Sequence, residues 1–343
     1  MGVVANLFSG RVLSGSFFSG GGAGGGAGGG FGGFSGFSGG DVSYLGGSDI
    51  LLADSGEIAT DAGLSYVPAK KKSSVFAFPF YSKQSGDGYD SKTSGMGVGF
   101  ARRFMDGVTG SAYIGKMSTD TNYDSVSMDK TMSESTFLGA ALNYDKGIYG
   151  SVSLIGFMTD NTYEGYNGAD YEYAESADYA SKGVQTEITG GYSFKVAQGT
   201  RVVPFGGLSL SYYDMDAYNT DVVGTANDAF NTYYDSYTDW DTSLIAGVSA
   251  EKNIKLSSGA LKVFGQYRYD IALGNNDIVI DQSVPGLNTG NVSVEQSVDN
   301  GTHKLGLGTE FSKVDWYASV YGEYSANADY DSMSFKLTAG YKF

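Results

Sequence analysis

The stretch SMSFKLTAGYKF changes polarity at every step. Met333, Phe335, Leu337, Ala339, Tyr341 and Phe343 fall on one face of an extended strand, and Ser332, Ser334, Lys336, Thr338, Gly340 and Lys342 on the other. The same period-two pattern recurs from Ser74 onward. It constrains the fold more than any other feature, because strands with two unlike faces must enclose one and present the other. Twelve strands are expected, near 74–84, 93–105, 108–119, 135–145, 147–161, 182–196, 199–214, 239–254, 260–272, 302–312, 314–328 and 332–343. In the sixth, Val184, Ile188, Tyr192 and Phe194 oppose Gln185, Glu187, Ser193 and Lys195. In the ninth, Leu261, Val263, Tyr267, Tyr269 and Ile271 oppose Lys262, Gln266, Arg268 and Asp270, an ionic face that a soluble core does not accept. In the eleventh, Val314, Trp316, Ala318, Val320 and Tyr324 oppose Asp315, Ser319, Glu323 and Ser325.

The connections discriminate between a sandwich and a membrane barrel. Links after even-numbered strands are tight, at Met105–Gly107, Asp145–Gly147, Ala197–Gly199, Ser257–Gly259 and Lys313–Asp315. Links after odd-numbered strands are mostly long and acidic, notably Thr159–Ser181, Asp214–Thr238 and Gly274–Gly301. Short and long links in alternation, with an even strand count, predict an all-β fold: a 12-stranded antiparallel transmembrane β-barrel. It would sit in a bacterial outer membrane with its long loops extracellular and its C-terminus periplasmic.

Composition narrows the function classes. The 53 Gly and 27 Tyr, against 4 Pro, one His and no Cys, are unlike the usage of a cytosolic enzyme. A net charge of −16 argues against a nucleic-acid partner, and neither Lys70–Lys72 nor the pair Arg102 and Arg103 makes a basic face. No apolar run is long enough for a transmembrane helix. The opening residues lack the form of a signal peptide, so an exported protein is expected to be represented here without its signal.

Three parts are expected. Residues 1–47, dominated by Gly, Ser, Ala and Phe, read as a flexible linker or passenger remnant. Residues 48–73 are a candidate lumen plug, with a helix over Ser48–Ala62 that Ser48 or Asp49 would cap, although Gly56 interrupts it. Residues 74–343 form the barrel.

Strand direction assigns the faces. Phe104, Tyr144 and Phe194, with Tyr341 and Phe343, end descending strands, and Trp316 begins an ascending one, so an aromatic girdle is expected at the short-turn rim. Lys262, Gln266, Arg268, Glu187, Glu310 and Glu323 are expected to line the lumen. Its surface should be small in places, at Gly95, Gly97, Gly99 and Ala101, at Gly139 and Ala141, and at Gly306 and Gly308, leaving room for a pore or a plug. On this assignment Asp at Val263 or Leu337 destabilises the barrel and Asp at Gly306 is tolerated.

The strand count, the opening KKKSSVFAFPFYSKQSGDGYDSKTSGMGVGFARRF and the closing FKLTAGYKF resemble the autotransporter (type V secretion) translocator domain over about residues 48–343. The resemblance implies a monomeric barrel in the lipid bilayer that exports or displays its own N-terminal passenger. It also implies that Phe335, Leu337, Tyr341 and Phe343 match the C-terminal signal read by the barrel-assembly machinery, beside their part as lipid-facing residues. Some members of the family cleave themselves at an Asn–Asn pair in the plug. Asn275–Asn276 lies instead in a late loop, so that activity is not carried over. The alternative is a diffusion channel, in which the charged lumen residues set ion preference.

No enzymatic role, cofactor or metal site is expected. The sole His, His303, shares parity with Leu305 and Leu307 and so faces lipid rather than a lumen carboxylate. The acidic loop containing Asp160, Glu164, Asp170, Glu172, Glu175 and Asp178 lacks an ordered calcium-loop pattern and reads as a solvated surface.

Overall fold

The computed structural model describes residues 73–343 apart from 87–88, 106, 124–129, 168–172, 224–230, 274–277, 284–291, 297–300 and 329. The predicted linker, the plug and its helix therefore lie outside the described residues, save Ser73. In chain order the strands are β1 (Ser73–Gly86), β2 (Tyr89–Met105), β3 (Val108–Tyr123), β4 (Lys130–Lys146), β5 (Ile148–Asn167) and β6 (Tyr173–Tyr192). There follow β7 (Phe194–Ala197), β8 (Thr200–Met215), β9 (Tyr218–Asn219), β10 (Asp221–Val223), β11 (Tyr233–Tyr234) and β12 (Tyr237–Leu256). The last six are β13 (Gly259–Ala272), β14 (Ile278–Ser283), β15 (Val292–Gln296), β16 (Gly301–Lys313), β17 (Trp316–Ala326) and β18 (Tyr330–Lys342).

Twelve of these strands close into one antiparallel barrel, in the ring order β1-β2-β3-β4-β5-β6-β8-β12-β13-β16-β17-β18. The seam is β18 against β1, from Ser74↔Lys342 to Gly86↔Tyr330. Phe343 completes it: its N–H donates to the Ser73 carbonyl at 2.9 Å, and the Ser73 N–H donates back at 3.2 Å. Both ends of the barrel chain thus meet at the short-turn rim.

Period two sorts the side chains as a membrane requires. Val98, Ile114, Leu138, Ile188, Val263 and Leu337 are exposed on the outer face, while Ser74, Asn143, Thr302 and Lys304 are buried inside. Apolar residues outside and polar residues inside invert the arrangement of a soluble protein.

The strands reach further on the long-loop side than apolar periodicity predicts. Most of the expected loop Thr159–Ser181 is a continued β5–β6 ladder, paired as far as Asn167↔Tyr173. Polar cross-strand pairs extend it: Thr162 donates to Asp178 at 2.8 Å and Tyr163 to Glu175 at 3.2 Å, and on the other side of β5 Lys130 of β4 donates to Glu164 at 3.3 Å. The other two long links also contain strands. β9, β11, β14 and β15 form a separate four-stranded sheet, and β10 pairs with the upper part of β6.

Three of the tight turns use left-handed backbone, which Gly107, Gly147 and Gly199 supply at φ of 78°, 81° and 70°. At Lys313–Asp315 that place falls to Val314, at φ 28°. A β-branched residue there is strained.

Lumen glycines do not leave the space expected of them. Aromatic side chains on neighbouring strands lie over them, so that a Cβ added to Gly97 would come within 2.3 Å of Phe78 Cζ and one added to Gly306 within 2.0 Å of Tyr321 Oη. Phe80 covers Gly95, Phe76 covers Gly99, Tyr113 covers Gly139 and Phe264 covers Gly308 in the same way. Tyr321 is held in place, accepting from Gln266 Nε2 at 2.9 Å and donating to Glu323 at 2.8 Å. Asp at Gly306 would have to displace this ring, so it is expected to destabilise the barrel, contrary to the expectation from parity.

Two outcomes follow from this packing. Gly306→Asp should lower stability by about 2 kcal/mol or more, as overpacking does, and Leu337→Asp should do so through a charge in lipid; heat-modifiable gel mobility and urea unfolding in detergent would measure both. Val314→Asn should raise stability by about 1 kcal/mol by relieving left-handed strain at an exposed turn, and an unchanged unfolding midpoint would contradict it.

Candidate functional site

The lumen is the candidate site, and charge is concentrated on one side of it. In one cluster, Arg268 on β13 lies 2.9 Å from Glu187 on β6 and 2.5 Å from Asp270, whose second oxygen is 3.2 Å from Lys304 Nζ on β16. All four side chains are at most 3 % exposed, so the pairing keeps these charges compensated away from bulk water. β8 and β12 stand between β6 and β13, so the Arg268–Glu187 pair reaches across the inside of the barrel. In the other cluster, Arg201 on β8 pairs with Asp145 on β4 and lies 2.6 Å from Glu251 on β12, which Lys262 Nζ also approaches to 2.6 Å. Here too two strands, β5 and β6, are bridged.

The opposite wall is aromatic. Phe76, Phe78 and Phe80 point inward from β1, although the run VFAFPFY is apolar at every position and so carries no parity signal. They pack with Tyr113 and Phe137: Phe78 lies 5.8 Å from Tyr113 edge-on and 6.3 Å from Phe137. Lys336 Nζ lies 5.7 Å from the Phe78 ring centre.

Every expected lumen residue sits on the inner face. Lys262 and Arg268 belong to the ion clusters, and Glu310 is buried opposite Lys262 in the ladder. Gln266 and Glu323 hold Tyr321 between them. Gly97 and Gly306 are the covered glycines. Sequence reasoning missed Arg201, Glu251, Asp145 and Lys304. The first two follow the inward parity of β8 and β12, a signal that was available.

Outside, Phe104, Tyr144, Phe194 and Trp316 are exposed at the short-turn rim, with Tyr341 and Phe343. Phe335 and Leu337 lie on the outer face of β18 above them. Tyr192 meets Phe194 at 4.8 Å and Phe311 meets Trp316 at 5.4 Å. At the other rim Tyr212 meets Trp240 at 4.7 Å. Just beyond that pair, Lys182 lies 2.9 Å from Asp214, and its hydrogen bond holds the Asp214 carboxyl below the usual carboxylate range. His303 is on the outer face, stacked on Tyr269 at 4.5 Å with Nδ1 2.7 Å from the Tyr267 hydroxyl.

The link from β8 to β12 folds inward at the loop end. Asp216 N–H donates to the Ala180 carbonyl at 3.0 Å, and Tyr218 stacks on the inward Tyr179 at 4.5 Å and on Tyr234 at 4.8 Å. Burial drives the Tyr218 hydroxyl well above the usual phenol pKa. These tyrosines, Met215 and the Phe76–Phe80 wall belong to one apolar cluster. Part of the loop-side mouth is therefore covered by the chain itself.

A closed antiparallel barrel with an apolar outer belt and two aromatic rims defines a transmembrane β-barrel. The autotransporter beta-domain family profile matches residues 75–325, and the chain belongs to that family. It is thus an outer-membrane translocator for a passenger. No curated protein matches it in sequence. Its fold is similar to the translocator domain of the autotransporter NalP from Neisseria meningitidis, at 17 % identity and TM-score 0.62, over 88 % of this chain and 96 % of that one. The beta domain of the Bordetella autotransporter BrkA matches at 18 % identity and TM-score 0.57, over 79 % and 100 % of the two chains. The transport unit of AIDA-I from Escherichia coli matches at 11 % identity and TM-score 0.53, over 84 % and 98 %.

The cross-lumen pairs make a stability prediction. Arg268→Met leaves Glu187 and Asp270 buried beside a neutral side chain and should cost about 3–5 kcal/mol; a urea midpoint equal to that of the unaltered barrel would sink the idea that these pairs brace it.

Proposed function

We propose that the barrel holds its own N-terminal segment, residues 1–47, at the bacterial surface, with residues 48–73 passing through the lumen. The observation that carries this is the position of Ser73. It pairs with Phe343 at the short-turn rim, so a chain preceding it that ends at the long-loop side has to cross the barrel. The long acidic links face outward from the cell in this arrangement, and the C-terminus lies in the periplasm. Phe335, Leu337, Tyr341 and Phe343, in one row on the edge strand that closes the seam, serve as the feature recognised by the assembly machinery. The protein works as a monomer, its ring being complete within one chain. A non-catalytic role is supported by His303, which points away from the lumen carboxylates that a general base would need.

The absence of cysteine allows a clean test. Ser35→Cys should react with a membrane-impermeant maleimide on intact cells, whereas Ser257→Cys, in a short turn, should react only after the outer membrane is opened. Protection of Ser35→Cys until permeabilisation would overturn the proposal. Stable, ion-selective conductance of the full chain in planar bilayers would favour the channel alternative.

A further inference from the structure

Six barrel strands run down to the short-turn rim, and each carries a cation near its end: Arg102 on β2, Lys146 on β4, Lys195 on β7 continuing the line of β6, Lys252 on β12, Lys313 on β16 and Lys342 on β18. In sequence they are far apart and make no basic run. Ring order brings one to every second strand around the whole barrel. Arg102, Lys146, Lys252 and Lys313 share the outward parity of Phe100, Tyr144, Ala250 and Phe311 and are exposed. Lys195 is exposed as well, though it lies opposite Arg201 in the ladder, while Lys342 turns inward over the Tyr317 ring at 5.8 Å. Successive members lie two strands apart, about 10 Å measured across the sheet.

Among the described residues, acids at this rim do not cancel the ring. Asp145 and Glu251 are turned inward to Arg201, and Glu310 is buried in the lumen. Among the described residues that leaves Asp315 as the acid of this rim outside those clusters. Toward the long-loop side the outer face carries both signs, with Asp120, Glu134 and Asp160 exposed on β3, β4 and β5 and Lys83, Lys92, Lys116 and Lys182 exposed on β1, β2, β3 and β6, two of them paired to Asp90 and Asp214. The cations stand among the aromatic girdle, at the level where an apolar belt gives way to lipid headgroups.

We propose that this collar binds the headgroups of anionic phospholipids in the leaflet on the short-turn side. It rests on the outer belt lying in lipid and needs no assumption about a passenger. Cations on flexible stems reach from the edge of the belt to the headgroup level, and a protein of net charge −16 gains a local attraction for anionic headgroups there.

The two tryptophans mark the two rims, Trp316 beside Lys313 in the ladder and Trp240 at the other end. In the full chain carrying Trp240→Phe, folded into mixed phosphatidylcholine and phosphatidylglycerol vesicles, Trp316 fluorescence should be quenched about twofold more by brominated phosphatidylglycerol than by brominated phosphatidylcholine at the same mole fraction. Salt near 1 M, where the screening length is about 3 Å, should remove the difference. So should Gln at Arg102, Lys146, Lys195, Lys252 and Lys313 together, and Lys313→Gln alone should reduce it. The Trp316→Phe chain, reporting from Trp240, should show no preference. Equal quenching by the two lipids at low salt, or a preference that survives both salt and the Gln substitutions, would overturn the collar. Absence of quenching by either lipid would overturn it together with the lipid belt, and would leave surface labelling of Ser35→Cys as a separate question.

Discussion

Closure of the hydrogen-bond ladder is the constraint on which the rest of this structure depends. In hydrocarbon an unpaired N–H or C=O costs several kcal/mol, with no water to take the place of a missing strand. A strand with a free edge is therefore excluded from the membrane, and β18 has to return to β1. The ladder runs to the last residue, where Phe343 and Ser73 exchange both backbone hydrogen bonds. Antiparallel closure also places both ends of the barrel chain on one rim. That coincidence of termini is what the proposed passage of the preceding segment through the ring rests on.

Closure then fixes what the interior must solve. Twelve strands enclose more space than backbone alone fills. Here the space is divided between flat aromatic rings laid over glycines and ion pairs that span intervening strands. Polar residues also fix the rings: Tyr321 lies over Gly306 with its hydroxyl held by Gln266 and Glu323. At the loop end the same apolar cluster continues through Tyr179 into Tyr218 and Tyr234, so the wall and the covering of the mouth are packed as one body. The lumen is thus a built interior, and passage through it requires this packing to be displaced or to form around the passing segment.

Much of this was legible in the chain. Strand number, antiparallel order, the alternation of short and long links and the membrane-facing side of most strands follow from period two and from glycine at the turns. Inward placement of Lys262, Gln266, Arg268, Glu187, Glu310 and Glu323 follows from the same parity. Three things were not legible, each for a physical reason. The upper β5–β6 ladder is held by polar cross-strand pairs, which leave no apolar period. The inward face of β1 is masked because both faces of VFAFPFY are apolar. The space above a glycine depends on the residue opposite it on the next strand, and thus on register.

Local alternation by itself determined which residues share a face and, on strands whose two faces differ in polarity, which of them face lipid, since side chains on an extended strand point alternately to opposite sides whatever the strand pairs with. Tertiary structure alone decided which inward residues meet. Glu187 finds Arg268, Asp145 finds Arg201, and the scattered cations of the short-turn ends line up as one collar only when twelve strands close in a particular register. Contacts across a ring depend on the ring's circumference and stagger, and no single strand carries that information.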